Sequence, residues 1–166
     1  MTVTAEHTLS VPLSALKTLL AASAACQAFL GADAAERIHL AVLPVNDDGE
    51  PLADAQVSAL RPFALVMHHV PSGSEWNSLK PANGSLRVAL ERNVAPDVSV
   101  PDAEIAFENQ IGAIAEEIQS LGLTGGHLIV RRVTIIAGPG RESWAEGQAQ
   151  GQYHFAGLQV FWGLES

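Results

Sequence analysis

The chain has 166 residues, of which 48% are hydrophobic and 16% are charged, and its formal net charge at pH 7 is −9. Such a length suits one domain with its own core, and the composition is too apolar for a disordered chain. No fully apolar run reaches the ~18 residues of a transmembrane helix, and nine basic residues against eighteen acidic ones do not favour phosphate binding. We therefore predict a single domain, residues 1–166, without a membrane span and without specific nucleic-acid binding.

The first ten residues, MTVTAEHTLS, lack the basic start and the apolar block of a secretory signal. The single cysteine, Cys26, cannot form an internal disulfide, which agrees with a reducing compartment. We therefore expect synthesis in the cytoplasm.

Residues 12–30 have the pattern of an amphipathic helix. Leu13, Leu16 and Leu20 fall on one stripe, the many alanines favour helix, and Gly31 is a suitable stop. We predict one continuous helix over this segment.

Three strands are predicted next, over residues 37–44, 62–70 and 85–94. The first and third alternate apolar and polar side chains, as a strand with one solvated face does. The second is almost continuously apolar, which is typical of a central strand. Polar loops separate the strands, and the first loop contains the turn sequence NDDGEP at 46–51.

The clearest helix in the sequence covers residues 102–123. Its apolar residues step by four, three, four and three positions and so form one stripe that a sheet can cover. These residues are Phe107, Ile111, Ile114, Ile118 and Leu121. Two further strands, 127–137 and 152–164, complete the pattern.

The predicted order is therefore helix, three strands, helix, two strands. Strands that follow one another without a helix usually pair antiparallel, and an amphipathic helix packs its apolar stripe on a sheet. We predict an α+β fold with one largely antiparallel or mixed sheet of about five strands and two helices packed on one face.

Residues 138–151, GPGRESWAEGQAQG, contain four glycines and suggest a phosphate-binding loop. Such a loop needs a helix N-terminus directly after it, whereas a strand is predicted here, so we exclude this interpretation. The alternative is a long hairpin loop that carries Arg141, Glu142 and Trp144. Trp144 then either contacts a protein partner or folds back to cap the edge of its own core.

The sequence contains no motif for catalysis, metal binding or cofactor binding. His68 and His69 are neighbours on a strand and point to opposite faces, and His154 has no ligand at a typical spacing. Cys26 suits a small buried thiol, and the adjacent carboxylates at 116–117 suit a solvated helix face. We predict no catalytic residue, no metal and no cofactor, with a small α+β enzyme or ligand-binding domain as the alternative.

The aromatic residues of the last strand face opposite ways. Of Phe161 and Trp162, one is expected in the core and the other against a helix or a neighbouring subunit. Five residues are therefore candidates for an interface with another subunit or protein. They are Trp76, which lies on a predicted loop, Arg141, Glu142, Trp144 and Trp162.

In the order of its predicted elements and in their pattern of hydrophobic residues, the chain resembles the tail terminator proteins of long-tailed bacteriophages, also called minor tail or tail completion proteins. The segments that carry the resemblance are LSALKTLLAA, RIHLAVLP, RPFALVMHHV, SLRVALERNV, FENQIGAIAEEIQSL and YHFAGLQVFWGLE. The likeness covers nearly the whole chain and includes no short diagnostic motif.

The resemblance implies a structural virion protein without catalytic residues, assembled in the host cytoplasm and located in the tail. Its subunits form a ring, usually of six copies, that caps the head-proximal end of the tail tube, stops tube polymerisation and docks the head or neck. Its partners are then itself, the tail tube protein and a head or neck connector protein. DNA then passes through the lumen of the ring. Because the chain is acidic, the lumen repels the phosphates and does not bind them. Another head–tail connector or neck ring protein is the alternative within this class.

Overall fold

The computed structural model describes residues 10–69, 83–95, 99–121 and 128–164. Four α-helices and five strands are present in these ranges, with one short 3-10 helix before the first strand. The helices are α1 (Ser10–Ala22), α2 (Ala24–Leu30), α3 (Asp54–Leu60) and α4 (Val100–Leu121), and the 3-10 helix is Ala34–Arg37. The strands are β1 (Ile38–Leu40), β2 (Phe63–His68), β3 (Asn83–Asn93), β4 (Leu128–Glu146) and β5 (Ala149–Leu164).

The five strands form one mixed sheet in the order β1-β2-β3-β5-β4. β1 is parallel to β2, because the connection between them crosses over through α3, and all other neighbouring pairs are antiparallel. The predicted α+β fold with one mixed five-stranded sheet is confirmed.

The core lies between one face of this sheet and the helices α1, α2 and α4. The stripe predicted on α4 is buried from Phe107 to Ile118, whereas Leu121, the last residue of the helix, is exposed. On the sheet, alternate residues of β3 and β5 face these helices, as the two-residue period of a strand requires. They are Leu86, Val88, Leu90, Ala156, Leu158, Val160 and Trp162.

The helix predicted over residues 12–30 is wrong in one respect, because it is broken at Ser23 into α1 and α2, which meet at 81°. The Ser23 hydroxyl accepts a hydrogen bond from the Cys26 backbone N–H and so caps the start of α2. Glu117 of α4 accepts hydrogen bonds from the N–H groups of Ala24 and Ala25, at 2.7 and 3.1 Å. The expectation that residues 116–117 form only a solvated face is therefore wrong for Glu117.

Within the described ranges, no single helix combines the length and hydropathy of a membrane span. The bent pair formed by Pro12–Ala22 and Ala24–Leu30 meets that test by length and composition only.

The fourth α-helix of the described residues, α3, lies in a stretch for which no helix was predicted, and it packs on the other face of the sheet. Leu90 faces the core, so Glu91, the next residue of β3, points away from it. Arg61, which follows α3, forms an ion pair with Glu91 at 2.9 Å and lies 3.8 Å from the ring centroid of Tyr153. The prediction of two helices on one face is thus corrected to helices on both faces.

The loop predicted at 138–151 is also wrong, because the β4–β5 ladder continues through it to the pair Glu146 and Ala149. A two-residue turn closes the hairpin, and Gly147 takes the left-handed conformation (φ +58°) that such a turn needs. The other three glycines of this segment, Gly138, Gly140 and Gly151, lie within the two strands. Register shifts between residues 135 and 140 mark bulges in the ladder. β3 ends opposite Tyr153, so residues 144–151 extend past the third strand as a two-stranded arm.

Candidate functional site

The two edges of the sheet lie on opposite sides of the molecule. β1 forms one edge and β4 the other, and among the described residues no strand pairs with the outer side of either. Side chains occupy part of the β4 edge, since the Val133 backbone N–H donates to Gln119 of α4 at 3.3 Å. Open edges are sites at which another chain can add a strand, so proteins usually cover or block them.

Exposed apolar side chains accompany both edges. Val42 and Val45, which follow β1, are exposed, Val42 to 69%. On β4, Ile135 is 46% exposed at the residues where the register shifts, and its neighbour Ile136 is also exposed. The other large exposed apolar residues among those described lie on α4. Because these apolar side chains lie next to unpaired strand edges, both edges are candidates for a protein–protein contact.

A cleft of about 500 Å³ lies beside β1. Its walls combine the apolar residues of β1 and of the following segment with the polar side chains of Lys17, Glu36 and His39. Burial, and then the charge of Lys17, lower the pKa of His39. The neutral imidazole is therefore favoured, and the cleft presents one cation and one carboxylate beside an apolar wall.

A polar cluster stabilises the base of the arm against α4. His154 of β5 is 1% exposed and its Nε2 lies 2.8 Å from Glu104 Oε1, while the Arg141 Nε of β4 lies 2.8 Å from the same oxygen. One carboxylate thus contacts both strands of the hairpin. The hydrogen bond with His154 is the main cause that lowers the pKa of Glu104, and Arg141 acts in the same direction.

A paired histidine and carboxylate is also an arrangement that enzymes use for proton transfer. Here the His154 ring stacks on Phe107 at 4.9 Å between centroids, and its buried Nδ1 has no hydrogen-bond partner among the described residues. No serine, threonine or cysteine among the described residues is hydrogen-bonded to the ring, and no group of three His, Cys, Asp or Glu in those residues could hold a metal ion. The contacts of Glu104 with Arg141 and His154 are therefore suited to holding the hairpin in position against α4.

Two of the residues predicted for an interface have partners within the chain. Arg141 contacts Glu104, and its Nη1 donates to the Gln152 side chain at 2.9 Å. Glu142 accepts a hydrogen bond from the Tyr153 hydroxyl at 2.7 Å. Burial and this contact raise the pKa of Tyr153 to about 12.

The three predicted tryptophans differ in position. Trp144 is half-buried against its own hairpin, since a Cβ added to the facing Gly151 would lie 2.8 Å from its Nε1. This favours the interpretation that it folds back. Trp162 is 2% exposed in the core cluster, so its candidacy for an interface is corrected. Trp76 lies outside the described residues.

Sequence reasoning missed the cluster of Glu104, Arg141 and His154. The three are far apart in the chain, and only the register of β4 on β5, with Arg141 opposite His154, brings the hairpin residues together. It also missed the exposed Val42, because the predicted strand extended to residue 44 and gave this side chain a place in the sheet.

No protein-family model matches the sequence, and no curated protein matches it either.

Proposed function

We propose that this protein is a structural ring subunit that terminates a phage tail tube. In this role, copies of the chain form a ring, usually of six, on the head-proximal end of the tube. The ring stops addition of further tube subunits and provides the surface on which the head or neck docks. It is assembled in the host cytoplasm and stays in the tail of the virion.

The observation that carries this proposal is the position of the two open edges. They lie on opposite sides of one sheet, and each has exposed apolar side chains, Val42 and Val45 at β1 and Ile135 and Ile136 at β4. A contact between two different patches is heterologous, and it closes into a ring when the rotation between neighbours returns to the start. A subunit with two different apolar edges is suited to this type of assembly.

The arm supports a second contact, with the tube or the neck. Residues 144–151 reach past the end of β3, and the Glu104 cluster at their base and the hydrogen bond from Ala55 N–H to Glu146 at 2.9 Å stabilise their direction. A preorganised arm loses little conformational entropy on binding. We assign it to the contact along the ring axis, outside the plane of the edge contacts.

The test is assembly of the purified protein, alone and with purified tail tubes, measured by light scattering after size exclusion and by negative-stain electron microscopy. We expect rings in solution or on one end of each tube, and no further tube growth at that end. A protein that stays monomeric and leaves tube ends bare contradicts the proposal.

A matched pair of variants separates the edges from general surface effects. Ile135→Asp places a charge on the open edge of β4 and is expected to abolish ring formation. Ile105→Asp makes the same change at an exposed position of α4 and is expected to leave assembly unchanged. Equal loss in both variants would argue against an edge interface.

A further inference from the structure

The turn that follows β1 is a rigid acidic projection. The Asn46 side-chain oxygen accepts hydrogen bonds from the backbone N–H groups of Asp48 and Glu50, at 3.0 and 2.9 Å. Its backbone exchanges further bonds with Gly49 and Glu50, and Val45 pairs with Pro51 across the base. Side-chain and backbone bonds together define one conformation, as in an Asx-turn.

The carboxylates on this turn face solvent. Asp47, Asp48 and Glu50 are all exposed, and none of them forms an ion pair within the described residues. The β1 side of the molecule therefore presents negative charge directly beside the exposed Val42 and Val45.

The first part of the β4 edge, before the register shifts at 135–140, has the opposite character. Arg132 is exposed on β4, three residues before Ile135, and its guanidinium lies 4.4 Å from the centroid of the Phe161 ring. Within the described ranges it has no carboxylate partner. The ring holds the guanidinium in place without neutralising it, so β4 presents positive charge at this edge, on the sheet face opposite the one that Ile135 occupies.

We propose that the Asn46–Glu50 turn of one copy contacts Arg132 on β4 of the next copy. This inference depends on the proposed ring and specifies its interface: the β1 side of one subunit meets the β4 edge of another, with apolar contacts between the edges and an ion-pair contact beside them. The occupant of the β4 edge is thus a second copy of this chain.

The charges also explain why the edges would not pair with themselves. Contact between two β1 sides brings acidic turns together, and an antiparallel contact between two β4 strands centred on Arg132 brings the two guanidinium groups together. Like charges in an interface are unfavourable, so both of these symmetric dimers are less favourable than the unlike contact. Charge in this way directs the subunits to a ring and away from closed dimers.

A charge-reversal cycle tests the contact, with sedimentation and electron microscopy as readouts. Arg132→Glu and the double variant Asp47→Lys with Asp48→Lys are each expected to raise the protein concentration needed for ring formation at least about tenfold. Combining all three changes restores pairing of opposite charges, and we expect assembly to return. Wild-type assembly should weaken as the salt concentration rises, because salt screens exposed charges.

The control is Glu108→Lys, an exposed charge reversal on α4, which is expected to assemble as wild type does. Circular dichroism and thermal unfolding of each variant show whether it is folded. A folded Arg132→Glu variant that forms rings at the wild-type concentration overturns this contact and leaves the ring proposal standing. Failure of the wild-type chain to assemble, alone or on tubes, overturns both.

Discussion

The β4–β5 hairpin passes through two regions that are stabilised in different ways. Near the centre of the sheet, Leu158 and Val160 of β5 are fully buried in the core under the helices. The arm, residues 144–151, is stabilised by hydrogen bonds between its own two strands, by the contacts of Glu104 at its base and by a hydrogen bond with α3. Burial of apolar area contributes much of the free energy of folding and does not depend on the orientation of the contacting groups. A few polar contacts contribute less, and their contribution depends on the geometry of each hydrogen bond. The centre therefore supplies stability, and the arm and edges supply surface.

The largest expected effect is in the centre. Ile114→Ala removes a fully buried side chain from the stripe of α4 and is expected to lower the free energy of unfolding by about 2–5 kcal/mol. Urea denaturation measures it. The matched change Ile105→Ala, at an exposed position of the same helix, should change it by less than about 0.5 kcal/mol. Similar losses in both would mean that the α4 stripe is not the main source of stability.

The next effect lies where the hairpin bends. Gly138 has φ +62°, and an added Cβ would lie 2.5 Å from the Phe155 carbonyl oxygen and 2.8 Å from the Gly140 nitrogen. Because these are backbone atoms that cannot turn aside, Gly138→Ala is expected to cost about 2–3 kcal/mol of unfolding free energy.

The control for the bend is Gly147→Ala at the hairpin turn. Its φ of +58° is similar, but a Cβ there would meet nothing within 4 Å, so only the conformational cost of about 1 kcal/mol is expected. The two thermal unfolding curves compare steric and conformational cost directly, and equal shifts would contradict the crowding at Gly138.

A smaller effect, dependent on pH, is expected at the base of the arm. The pKa of Glu104 is lowered in the folded protein, so the carboxylate stabilises the fold above its ordinary pKa of 4.5, and this stabilisation is lost as pH falls through the lowered value. Glu104→Gln should therefore be less stable than wild type at pH 7, with the difference shrinking in acid. Denaturation at a series of pH values measures this, and Glu108→Gln, at an exposed position of α4, should show no such dependence. If the difference in stability between wild type and Glu104→Gln were the same at every pH, the charge of the Glu104 carboxylate would not be its source.

The smallest effect on stability is expected at the arm itself. Trp144→Ala removes a half-buried side chain from a two-stranded segment, and we expect a loss of at most about 1 kcal/mol. Capping of purified tubes should weaken, because the arm loses the packing that directs it. Shortening residues 140–149 should act in the same direction while the centre of the sheet stays folded. Full capping by the shortened protein would mean that the arm has no part in binding.

The arm shows why part of the site escaped prediction. Glycine and proline between residues 138 and 151 predicted a loop, yet here they serve bulges and a tight turn inside a continuous ladder. A residue type signals a special backbone conformation, and only pairing with β5 decides whether that conformation interrupts the strand. The same limitation applies to Trp162, since either face of the last strand could have been the buried one.

The sequence alone determined the α+β class, the five strands and the buried stripe of α4, because periodic burial of apolar side chains is a local property of the chain. Tertiary structure alone decided which strands form the edges, that α3 packs on the far face, and that Glu104 meets Arg141 and His154. Those features depend on strand order and register, which arise from contacts between distant residues and leave no period in the sequence.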